Sequence, residues 1–148
     1  MICTTCFILS AGLFLALAPA NGQDKKRTSI EEFGGTTQFQ LLKCQLTAKL
    51  AFLKVESGEL REAYSEIGAC LKQGREEVKK LFPRAHAQVA KKAAASKHFK
   101  EYYAVWLTAF DGISPEVDER KIDYERRQGE ASRKAHEAWN RFEIEAGL

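Results

Sequence analysis

The sequence predicts an all-α fold, a bundle of three or four helices, on three observations. Apolar residues recur at spacings of three and four over most of the chain beyond residue 35, the period of a helix with one buried face. No stretch there alternates apolar and polar residues as a half-buried strand does. The breaks between periodic stretches are short and hold Gly58, Pro83 and Asp111-Gly112, as connections between neighbouring helices do. A chain of 148 residues with only three prolines and abundant Leu, Ala, Phe and Tyr is expected to form a single domain with its own core.

The N-terminal segment stands apart. No charged side chain occurs from Met1 to Gly22, and Asp24, Lys25, Lys26 and Arg27 follow at once. Phe7 to Ala18 has the length of a secretory h-region, too short to span a bilayer, and Ala18-Pro19-Ala20 places small residues before a cut after Ala20. Residues 1–20 are therefore expected to be a signal peptide and the mature protein periplasmic or secreted, although no Lys or Arg precedes the apolar run. An uncleaved anchor is the alternative. Either way Cys3 and Cys6 fall outside the folded domain. Residues 21–35, charged, aperiodic and ending in Gly34-Gly35, are expected to be a flexible arm, leaving 36–148 as the helical domain.

The first helix is expected from Thr36 or Thr37 to about Ser57. Two apolar stripes run along it: Phe39, Leu42, Leu46, Leu50 and Leu53, and beside them Leu41, Cys44, Ala48, Phe52 and Val55. A helix apolar on so much of its circumference is expected at the centre of the bundle. Gly58 suits a left-handed C-cap. In the second helix Leu60, Tyr64, Ile67, Leu71, Gly74, Val78 and Leu81 form a heptad-like seam, which serves a hairpin or a dimer equally well. Pro83 either ends this helix or occupies the first turn of the next, a kinked continuous helix being the alternative. The third helix is expected over Arg84 to Phe110, alanine-rich and then aromatic. The fourth is expected from Ser114-Pro115-Glu116, a good start with a hydroxyl cap and proline in the first turn, to Ala146.

The two remaining cysteines allow a geometric test. In an antiparallel hairpin turning at Gly58, Cys44 lies fourteen residues before the turn and Cys70 twelve after it. At ~1.5 Å per residue they stand nearly level, and facing helices can bring their Cα atoms within disulfide range. An even pair in an oxidising compartment favours a structural disulfide, Cys44-Cys70, over metal binding or free thiols.

No catalytic or metal-binding constellation is legible. His86, His98 and His136 occur singly, without ligand spacing, and no P-loop, G-x-S-x-G, G-x-G-x-x-G or EF-hand occurs. Adjacent acids such as Glu31-Glu32 and Glu76-Glu77 diverge on a helix and suit solvated faces. No enzyme, no cofactor and no metal are expected. Net charge is only +3, but residues 84–100 hold five basic residues and no acid. Arg84, Lys91, Lys92, Lys97 and Lys100 are thus candidate anion contacts for a polyanion or a lipid surface. Few aromatics are interleaved, so nucleic acid is disfavoured. The polar first half of the fourth helix, with Tyr124, Arg126 and Arg127, and Trp139 beyond it, is the candidate contact surface for a protein partner.

The expected function is that of an exported, non-enzymatic protein that binds another protein, of an inhibitor, immunity or secretion and conjugation accessory type. The alternative is a polyanion or membrane-surface binder acting through residues 84–100. A homodimer is a further partner to consider.

Overall fold

The computed structural model describes residues 27–116 and 118–148. The expected signal peptide, residues 1–20, and the first part of the expected arm, 21–26, lie outside the described residues. Among the described residues four helices form two hairpins: α1 (Ser29–Glu56) against α2 (Leu60–Val89), and α3 (Ala93–Asp111) against α4 (Lys121–Ala146). Among the described residues there is no strand. The all-α bundle is as the periodicity requires.

α1 begins seven residues earlier than Thr36. Thr28 is its N-cap: the hydroxyl accepts from the Glu31 amide at 3.2 Å, and the Glu31 carboxylate accepts from the Thr28 amide at 2.7 Å. This reciprocal capping box satisfies two otherwise orphaned donors. Residues 29–35 are thus helical, not an arm. Ile30 and Phe33 are buried, and the Phe33 ring lies 4.9 Å from Phe99 and within about 6 Å of Phe82, Tyr102 and Tyr103. The glycine pair is part of the packing. A Cβ on Gly34 would stand 2.5 Å from the indole of Trp139, whereas one on Gly35 would meet nothing. Gly34 is the opening through which α4 reaches α1.

The turn at Ser57-Gly58 has the left-handed glycine expected of it, Gly58 at φ 86°. Cys44 and Cys70 are joined by a disulfide, with Cα atoms 5.7 Å apart. Of the second-helix seam, Ile67, Gly74 and Val78 are buried and Leu71 and Leu81 partly so, while Tyr64 is exposed; Ala63, Cys70 and Ala85 are buried beside it. Most of the seam is used within the bundle.

Pro83 lies inside α2, which continues to Val89. The helix survives because Pro83 is exposed, so the carbonyl it leaves unbonded faces water, while Phe82, Ala85 and Val89 hold the following turn on the core. The boundary with α3 therefore falls at Ala90–Lys92, not at Pro83.

α4 likewise starts at Lys121 rather than Pro115. Ser114–Glu116 and Asp118–Arg120 belong to the connection between α3 and α4, where the Glu116 amide donates to the Glu119 carboxylate at 3.1 Å. Arg127 then clamps this loop, donating to the carbonyls of Gly112 and Ser114 and to both oxygens of Glu119 at 2.7 and 2.8 Å. These bonds hold Ser114 and Glu119 in the connection. At its other end α4 stops at Gly147, φ 73°.

Aromatic rings from α1, α2, α3 and α4 fill the centre. Trp106 stacks on Phe110 at 4.6 Å and donates its indole N–H to the Thr37 carbonyl at 2.9 Å, and Tyr102 packs edge-on to Trp139 at 4.8 Å. The Tyr102 hydroxyl is satisfied by Thr37 at 2.6 Å, so the polar atoms carried into this core are largely paired.

Candidate functional site

The residues proposed for partner contact are mostly structural. Tyr124 is fully buried against Phe52, ring centroids 5.1 Å apart, with the Arg127 guanidinium 5.5 Å from its ring. Trp139 is buried between Gly34, Tyr102 and Phe142. Arg127 is engaged with the α3–α4 loop, and its hydrogen bond holds the Glu119 carboxyl below the usual carboxylate range. Only Arg126 remains largely exposed, paired with Asp123 at 2.8 Å. This half of α4 looks polar in sequence because its inward residues are Tyr124 and Gln128. Gln128 is satisfied in place, accepting from Gln45 and donating to the Gly112 carbonyl.

The Tyr124 hydroxyl has no protein partner, and burial pushes its pKa up to about 12. Tyr124→Phe is accordingly expected to raise stability at neutral pH by roughly 1 kcal/mol, since it removes a desolvated, unpaired group. The pH dependence has a definite sign. The folded-state pKa lies above the ordinary value of 10.0, so the stability tied to the neutral phenol is intact below pH ~10 and is lost as pH rises toward ~12. Urea midpoints at pH 7 and pH 11 should fall less in Tyr124→Phe than in the parent. An identical alkaline fall in the two would show that the Tyr124 phenol ionises in the folded protein at its ordinary pKa. Tyr102 and Tyr103, also raised by burial, contribute in the same direction.

The basic residues of 84–100 do not form one free patch. Arg84, on α2, faces Glu32 at 3.3 Å, Lys97 faces Glu101 at 3.8 Å, and Lys92 donates to the Ala146 carbonyl at 2.8 Å, tying the α2–α3 turn to the end of α4. Lys91 and Lys100 are exposed. Lys92 therefore acts as a C-terminal helix cap rather than as an anion contact.

The exposed feature that stands out is on α1. Phe39, Leu42, Leu46, Leu50 and Leu53, expected to face the core, are each 52–60% exposed. The other stripe faces inward over Leu41, Cys44 and Ala48, with Ala51 beside it, while at its end Phe52 is half-buried and Val55 exposed. Small residues at Thr37, Cys44, Ala48 and Ala51 let the neighbouring helices approach closely and so pull that side of α1 into the bundle. The five larger side chains fall within an arc of about 80° at 100° per residue and form a continuous apolar ridge. Shallow grooves flank it. Gln38, Leu42, Gln45, His136 and Trp139 line one toward α4, and Lys43, Thr47, Leu50, Ala69 and Gln73 line the other toward α2.

The histidines are dispersed: His86 bonds Ser96 at 2.9 Å and stacks on Phe82, His98 faces Glu101, and His136 borders the groove beside α4. Among the described residues no group of His, Cys, Asp and Glu is arranged to hold a metal ion, and no helix is long and apolar enough to cross a membrane. The chain matches no protein-family model, no curated protein and no solved structure with which it was compared. The apolar ridge of α1 is thus the candidate functional site on geometry alone.

Sequence reasoning found both stripes of α1 and expected the helix at the centre with both covered, whereas only one is. The signal that distinguishes them is side-chain size: the stripe with Cys and Ala is the one that can pack against a partner helix. It also passed over Thr28-x-x-Glu31, a capping box that marks the true start of α1.

Proposed function

We propose that this is an exported, non-enzymatic protein that acts by binding another protein, and that the ridge of α1 is the docking surface. The ridge itself carries this conclusion: five large apolar side chains, each more than half exposed, on a helix pinned by a disulfide two residues from Leu46. Isolated exposed leucines are ordinary, but a contiguous strip of them marks a contact surface. Helices that bind in grooves use anchors at this spacing. Export is supported by the apolar leader with small residues around Ala20 and by the disulfide, a bond that persists in oxidising compartments. Inhibitor, immunity and secretion or conjugation accessory roles all fit a small helical binder of this kind.

Capture from the exported fraction of the producing cell tests the docking surface. Leu46→Glu is expected to lose the bound protein, Lys91→Glu with Lys100→Glu to retain it, and the complex to survive moderate salt. A complex that keeps its affinity in Leu46→Glu but collapses with salt and with the lysine changes would transfer function to the basic segment.

A further inference from the structure

The ridge is symmetric about its middle. Leu42 and Leu50 lie four residues either side of Leu46, and Phe39 and Leu53 lie seven either side. At ~1.5 Å per residue these are steps of ~6 and ~10.5 Å. Two copies of α1 laid antiparallel across a two-fold axis at Leu46 therefore place Leu46 on itself, Leu42 level with Leu50 and Phe39 level with Leu53. Beyond these pairs come Gly35 and Ser57, eleven residues from Leu46 in each direction and both exposed, so α1 itself presents nothing bulky past the ends of the ridge. An isologous contact requires a surface complementary to itself under this rotation, whereas a contact with a different partner requires no such symmetry.

On this basis we infer that the occupant of the α1 ridge is a second copy of this chain, held in an antiparallel two-fold pair centred on Leu46. The inference rests on the ridge being the docking surface. The area suffices. Five side chains more than half exposed leave a strip on the order of 500 Å², near the upper end of the largest patch on a typical monomer. Two such strips, with the stems of Lys43, Gln45 and Lys49, come to about the 1,200 Å² at which specific interfaces begin. Charge speaks against a lipid surface. Lys54 is engaged by Glu66 and Glu62 at 2.6 and 3.4 Å, which leaves Lys43 and Lys49 beside the ridge, fewer than the 4–8 basic residues that mark binding to anionic lipid.

Sedimentation of the purified protein from about 1 to 100 μM is expected to show a monomer–dimer equilibrium, which micromolar affinity suits at this area. Leu46→Glu should weaken it at least ~100-fold by placing two carboxylates together on the axis, with the circular dichroism spectrum unchanged, and melting unchanged at concentrations where the parent is monomeric, because the side chain is exposed in the monomer. The register makes a sharper demand. Leu46→Cys should crosslink to its own copy under mild oxidation, and Phe39→Cys, which meets Leu53, should not. A dimer that survives Leu46→Glu, or that crosslinks as readily through residue 39, overturns the pairing. A chain monomeric throughout overturns the second copy too, yet leaves the docking surface standing if Leu46→Glu still costs a complex with a different protein. Monomers that sediment with anionic vesicles, and lose that ability in Leu46→Glu, assign the ridge to lipid and overturn both.

Discussion

Replacing Cys44 and Cys70 together with alanine is expected to lower the stability of the folded chain by about 3.5 kcal/mol, the chain-entropy cost of releasing a 26-residue loop. The bond joins the two helices near the middle of the α1–α2 hairpin, where Cys44 is fully buried and Cys70 nearly so. Opening it therefore frees the tip around Gly58 and leaves the hairpin to packing alone. Urea titration followed by far-ultraviolet circular dichroism measures this, and the parent under a strong reductant provides an independent estimate without the alanine cavity. A loss below about 1 kcal/mol in both would mean that the hairpin is already ordered in the unfolded ensemble and that the crosslink constrains little. Because α1 also carries the ridge, any dimer should weaken along with the hairpin.

The second large effect is expected at Gly34. A methyl group there would sit 2.5 Å from two atoms of the Trp139 ring, and that ring is held on its other sides by Tyr102 at 4.8 Å and Phe142 at 5.1 Å. Neither can yield cheaply, so Gly34→Ala should cost about 2 kcal/mol through overpacking, in the range seen when a methylene is forced into a filled core. Gly35 is the internal control. It has the same helical setting and open space around it, and Gly35→Ala should gain roughly 0.5–1 kcal/mol from restricting the unfolded chain and favouring helix. Tryptophan fluorescence during unfolding reports both, since Trp139 is one of two tryptophans. Changes of equal sign at the two positions would show that Trp139 does not in fact seat on Gly34.

Both predictions fall on residues whose meaning differs in how readily the sequence displays it. The disulfide could be foreseen because it depends on local quantities: fourteen and twelve residues from a glycine turn, a fixed rise per residue and a narrow separation between packed helices. Gly34 could not. A glycine pair after a charged stretch suits a linker, and nothing within ten residues of it indicates that an indole more than a hundred residues later requires the space. Distance in sequence also hid the role of Tyr124, which looks outward-facing until the Phe52 ring is brought against it, whereas Arg127 finds its partners Gly112 and Glu119 nearby in sequence, once α4 is seen to start only at Lys121.

By itself, then, the sequence determined that the chain is helical, that a hairpin turns at Gly58 and that Cys44 meets Cys70, because period, turn chemistry and rise are properties of neighbouring residues. Only the tertiary structure decided which side of α1 is covered. Periodicity near 3.6 shows that a helix has apolar faces, but α1 has two, and the choice between them rests on how closely α2, α3 and α4 can approach small side chains rather than large ones. That choice buried Cys44 and Ala48 and left Phe39, Leu42, Leu46, Leu50 and Leu53 at the surface, where the candidate site lies.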